Sequence, residues 1–207
     1  MFTLNSTTLE EKAERTFILL TESIINGELL SRILSTYYNE FAPHPTETFG
    51  IKRKESFSPE DSKRIILELI SFATFLIMMK EAPKHIQKRT FLFIKSPDAE
   101  RVSYYNSVLF NLLDAYLDEQ EYNGIHEIVL AQIYPEVKFE EGEVIDLTSR
   151  VTKYINSGDS TSATDLFVAL LISTIDCLHS SDVEPLALHF ASAIHDWTKV
   201  TAKNVFC

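Results

Sequence analysis

Metal-dependent chemistry needs histidines and carboxylates that converge, and six histidines are available: His44, His85, His126, His179, His189 and His195. Asp176 and His179 stand three residues apart, on one face of a helix, and His195-Asp196 form an HD dipeptide in the helix that follows. Antiparallel helices could bring these four side chains together, as di-metal bundles do with carboxylates and E-x-x-H pairs. The chain would then be a metal-dependent hydrolase or oxidoreductase holding a divalent metal at Asp176, His179, His195 and Asp196. The paired motifs of such sites are missing, however. No second D/E-x-x-H occurs, and His126-Glu127 lacks the second histidine of H-E-x-x-H. The preferred reading is that the histidines lie at helix ends and are satisfied by backbone carbonyls, with no cofactor and no catalytic residue.

Glu68 is the other candidate, a carboxylate inside an apolar run. Buried beside Asp176, it would share a proton and work as half of an acid–base pair. Ser71 and Thr74 follow it at helical spacing, and such a narrow polar stripe places Glu68 at a solvent edge instead. Cys177 has no neighbouring cation to lower its pKa, so it reads as a structural thiol. Cys177 and Cys207 suggest neither a disulfide framework nor a zinc-ligand pair.

Several chemistries are excluded by glycine. The five glycines are isolated from one another, so no Walker loop, dinucleotide fingerprint, nucleophile elbow or kinase loop set can be built. A net charge of −11 argues against nucleic acid or an anionic membrane as a partner. The charge is unevenly spread: residues 52–95 carry ten basic and five acidic side chains, residues 96–207 six and eighteen. Lys84, Lys88, Arg89 and Lys95 would form a positive patch for an anionic protein or for the acidic half of a second copy. Solvated helix-end and loop charges are the plainer account, and the favoured one.

The elements that must position these residues are helical. Residues 65–79 (IILELISFATFLIMM) are apolar on nearly every side, so that helix must be surrounded by others. It is too short to span a bilayer, which needs about 20 apolar residues, and no secretory signal opens the chain. The chain therefore reads as soluble and cytoplasmic. A first helix is expected from a capping box at Thr7 or Thr8 to about Glu40, with Gly27 marking a kink or a close crossing. Residues 42–57 form the clearest loop. Ser58-Pro59 opens the second helix, which Pro83 should stop at Ala82.

The segment 90–94 (TFLFI) reads as a lone strand or a buried linker. Ser96-Pro97-Asp98 opens a third helix to about Glu121, followed by a shorter helix over 125–134. Residues 136–147 are either a small hairpin or the approach to a helix over 143–155, the latter preferred. A second strongly apolar helix, 163–179, is the natural partner of 65–79. The last helix, 183–203, aligns Leu186, Phe190, Ile194 and Trp197 on one face.

These elements predict an all-α protein, a compact bundle of about six to seven helices around the two apolar ones, with at most a minor β element. It reads as one domain over 1–207, with a sub-boundary near 83–95 as the only place it would divide. Pro59-Glu60, Pro97-Asp98 and Pro135-Glu136 recur every 38 residues, which keeps a HEAT-like solenoid as the alternative. The favoured function is non-enzymatic: a helical domain that binds a protein partner or itself. The rivals are the metal-dependent enzyme above and a small-molecule sensor with its pocket between the two apolar helices.

Overall fold

The computed structural model describes residues 7–25, 28–40, 59–89, 95–119, 147–174 and 180–207. The first helix, α1 (Leu9–Leu20), starts as expected. Thr8 Oγ1 accepts the Glu11 N–H at 3.1 Å, and the Glu11 carboxylate accepts the Thr8 N–H at 2.7 Å. The run to Glu40 is not one uniform helix. A π-helical turn (Thr21–Ile25) separates α1 from α2 (Glu28–Glu40). Thr21 supplies a local cause: its hydroxyl sits 3.1 Å from the Phe17 carbonyl and 2.9 Å from that of Ile18, a back-bonding that loosens the ladder. Gly27 lies outside the described residues.

Helix α3 (Pro59–Leu76) is the centre of the fold. Every residue from 65 to 77 is buried, including the polar stripe of Glu68, Ser71 and Thr74. The solvent edge expected for that stripe is absent, because helices cover it too. Nor does Pro83 end the helix. A second π-helical turn (Ile77–Glu81) carries the chain into a short α4 (Ala82–His85), and the Ala82 N–H reaches five residues back to the Ile77 carbonyl. In that register the N–H that Pro83 lacks would have bonded to Met78. Asn106 Nδ2 donates to the Met78 carbonyl instead, at 3.2 Å.

Strands β1 (Gln87–Arg89) and β2 (Lys95–Pro97) pair antiparallel, Lys88 opposite Ser96 and Arg89 opposite Lys95. This is the minor β element; residues 90–94 lie outside the described residues. Ser96 and Pro97 thus belong to a strand and do not open the next helix. Asp98 does so: its backbone carbonyl accepts the Val102 N–H at 2.8 Å as α5 (Ala99–Glu119) begins. Helix α6 (Leu147–Asn156) is followed by Gly158 at φ +101°, a backbone state that favours glycine. Asp159 Oδ1 then accepts the N–H groups of Thr161 and Ser162, capping α7 (Ser160–Thr174). The last helix is α8 (Ser180–Phe206). The helix expected over 125–134, the 136–146 stretch and the loop at 42–57 lie outside the described residues.

The packing is that of an all-α bundle. Helix α1 packs on α5 and α8, while α3 packs on α6, α7 and α8, so elements distant in sequence touch. A solenoid would join each unit only to its chain neighbours. Leu186, Phe190 and Ile194 of α8 are fully buried, as their spacing predicts. Helix α7 meets α3 as expected, with Phe167 stacked on Phe72 at 4.3 Å between centroids and 11° between planes. It buries only the stripe Ala163, Phe167 and Leu171, whereas α3 is buried on every side. No helix among the described residues is long and apolar enough to cross a membrane.

Because Phe167 is the largest fully buried side chain of α7, Phe167→Ala should cost about 3–5 kcal/mol in urea-denaturation stability. Ile172→Ala, on the exposed side of the same helix, should change it by less than about 0.5 kcal/mol.

Candidate functional site

His195 of α8 faces inward, where α8 crosses the second π-turn and α7. Its Nδ1 is 3.3 Å from Lys80 Nζ and its Nε2 is 3.0 Å from Thr164 Oγ1. The Thr164 hydroxyl already gives its one proton to the Ser160 carbonyl at 2.6 Å, so it can only accept from the ring. This fixes the tautomer: Nε2 carries the proton and Nδ1 accepts from Lys80. Phe72 meets the imidazole edge to face at 5.6 Å. Burial, then the ammonium groups of Lys80 and Lys199, hold the His195 pKa below the ordinary imidazole value.

The HD dipeptide therefore splits. Asp196 faces outward, pairs with Lys199 at 3.0 Å, and lines a separate cleft. At His195 the Lys80 ammonium occupies the lone-pair direction that a metal would take. No group of three His, Cys, Asp or Glu side chains among the described residues is placed to hold a metal ion. Asp176, Cys177 and His179 lie outside the described residues, as do His44 and His126. His85 stacks on Phe206 at 5.2 Å, and His189 lines the cleft.

Glu68 is buried, at 6 % exposure, and both carboxylate oxygens are engaged. Arg150 Nη1 donates to Oε1 and the Tyr154 hydroxyl donates to Oε2 at 2.7 Å. Burial, followed by the Glu68 charge, pushes the Tyr154 pKa far above its usual value. The group is a polar clamp between α3 and α6. Sequence reading missed Arg150 and Tyr154, although they stand four residues apart on one helix face, and a buried carboxylate requires such partners.

Of the basic string, the side chains of Lys84, Lys88 and Lys95 are described. Lys84 pairs with the buried carboxylate of Glu81 at 2.7 Å. Strand alternation puts Lys88 on the opposite face of the hairpin from Lys95. The side chain of Arg89 lies outside the described residues.

A cleft of about 580 Å³ opens between the C-terminal part of α1 with its π-turn, α2 and α8. Its lining mixes the apolar side chains of Leu19, Leu29, Ile33, Ala193, Trp197 and Val200 with the polar ones of Ser23, Thr36, Thr201 and Asn204 and with Glu28, Arg32, His189 and Asp196. Val200 is 59 % exposed, so part of the apolar lining reaches solvent. The space between α3 and α7, where a small-molecule pocket was expected, is filled by Phe72 and Phe167. Sequence reading placed Trp197 on the core face, counted Leu29 in the apolar stripe of the first helix and passed over Arg32. One signal was present: Val200 is apolar yet lies off the Leu186–Phe190–Ile194 stripe.

Removing the cation from the clamp leaves a buried carboxylate without its partner. Arg150→Met should cost about 3 kcal/mol in urea denaturation, and adding Glu68→Gln should recover part of it. His195 has a folded pKa below its unfolded value, so its contribution is complete above about pH 6.5. That contribution is lost as pH falls through the folded value. His195→Asn should therefore flatten the stability–pH curve below about pH 6.5, measured by thermal melts against the parent.

No family model, no curated protein and no solved structure matches the chain, so its function is argued from its own geometry.

Proposed function

We propose that the chain is a non-enzymatic helical binding module that takes an apolar, helix-like segment of a protein partner into the α2/α8 cleft. The observation that carries this reading is the cleft itself: apolar side chains gathered around the chain's one tryptophan, beside charges of both signs. An apolar, aromatic-anchored centre and a polar rim are the anatomy of a protein interface. The volume would also suit a small ligand. The exposure of Val200 favours a macromolecular segment, because an enclosed ligand site would bury its apolar lining. Arg32 set against Glu28 and Asp196 would orient the segment and discriminate among partners more than add affinity. The non-enzymatic part rests on Glu68, whose two carboxylate oxygens are both committed to internal hydrogen bonds.

Photo-crosslinking in the cell of origin tests the proposal. A crosslinking residue at Val200 should give one discrete adduct, weakened by Arg32→Glu, while the same residue at the exposed Lys153 of α6 should not. An adduct of twice the chain's mass would identify the partner as a second copy. Identical products from both positions, or none from Val200, would remove the cleft as the binding site.

A further inference from the structure

Lys80 differs from the lysines around it in what it is bonded to. Lys84 is held by the Glu81 carboxylate at 2.7 Å and Lys199 by that of Asp196 at 3.0 Å. The polar partner of Lys80 is the neutral imidazole of His195, at 3.3 Å. A carboxylate partner favours the ammonium form, because the ion pair is lost when the proton leaves. An uncharged imidazole acceptor imposes a weaker preference: a neutral amine still donates one N–H to Nδ1, and its lone pair is then free.

From this geometry we infer that Lys80 is a nucleophilic modification site that captures activated acyl groups, with thioesters as the donor class. The amine nitrogen attacks the thioester carbonyl, a C–N bond forms, and the C–S bond breaks as the tetrahedral intermediate collapses. The ammonium gives up two protons in all. One goes to the departing thiolate, which leaves as the thiol; the other passes by way of His195 Nδ1 to solvent. The products are an amide at Lys80, a thiol and a released proton, with no oxidant or reductant required.

The surroundings favour the reaction. Desolvation at the helix junction, then the Lys84 ammonium, hold the Lys80 pKa below that of an ordinary lysine; Lys199 acts in the same direction and Glu81 against it. Of the acids nearby, Glu81 is turned to Lys84 and Asp196 to Lys199. In the neutral ring Thr164 leaves the lone pair on Nδ1, facing the amine, by fixing the tautomer.

The test is competitive labelling of the full chain with a limiting amount of a short acyl thioester, with each lysine quantified by mass spectrometry. Lys80 should be acylated several-fold faster than Lys84 and Lys199, although their side chains are 52 % and 55 % exposed. Its rate–pH curve should lie at lower pH than that of Lys84. His195→Phe, which removes the acceptor and keeps an aromatic ring against Phe72, should bring the Lys80 rate down to that of Lys84 and leave other lysines unchanged. Thr164→Val should lower the rate partway, because it releases the tautomer without emptying the junction; it serves as the reporter if His195→Phe disturbs folding. The inference is overturned if wild-type Lys80 reacts no faster than Lys84, if the two pH curves coincide, or if folded variants leave the Lys80 rate unchanged.

Discussion

Helix α3 has no solvent face from residue 65 to 77, and the rest of the bundle is arranged to make that tolerable. Covering an apolar helix on all sides is favourable in itself, at about 25 cal/mol for each Å² of apolar surface removed from water. The difficulty lies in Glu68, whose carboxylate goes inside with it. Arg150 and Tyr154 resolve this from α6, and Phe72 and Phe75 close over the Tyr154 ring at 5.2 and 5.9 Å. The position of α6 is thus set by a polar demand of α3 as much as by apolar contact. On other sides α3 meets α7 through Phe167 and the imidazole of α8 through Phe72, so one aromatic ring touches three neighbouring helices.

Much of this was legible in the sequence where the signal was local. The Thr8–Glu11 capping box, the α8 stripe and the pairing of α3 with the second apolar helix follow from spacing alone. What was not legible depended on partners far away in the chain. Glu68 looks like an edge residue until Arg150, 82 positions later, is known to reach it. Ser96-Pro97 carries the signature of a helix start, yet pairing with Gln87 and Lys88 makes it a strand, and Asp98 takes over the capping role. Tertiary pairing overrides a local preference of this size without difficulty.

The candidate sites divide along the same line. Adjacent residues on a helix point about 100° apart, so His195 and Asp196 serve different surfaces: one enters a part-buried hydrogen-bond chain and the other lines the cleft. A dipeptide therefore could not stand for one site. The Lys80–His195 contact was beyond sequence reading for a second reason. Lys80 sits in a π-turn, where one extra residue rotates every following side chain relative to an α-helical wheel. The cleft was hidden in a third way, since 139 residues of chain lie between α2 and α8.

The Asn106 amide that binds the Met78 carbonyl makes the continuation of a helix through Pro83 a property of the assembled protein. Cut out as a peptide, residues 59–85 would contain the same proline and no donor to replace its missing N–H, and water would compete for the bare carbonyl. In the bundle the replacement arrives from α5, whose Asn106 Oδ1 has no hydrogen-bond partner among the described residues. A backbone acceptor of one helix is thus satisfied by a side chain of another. The last turns before the hairpin, which hold Lys80 in place against His195, exist on condition that α5 is docked.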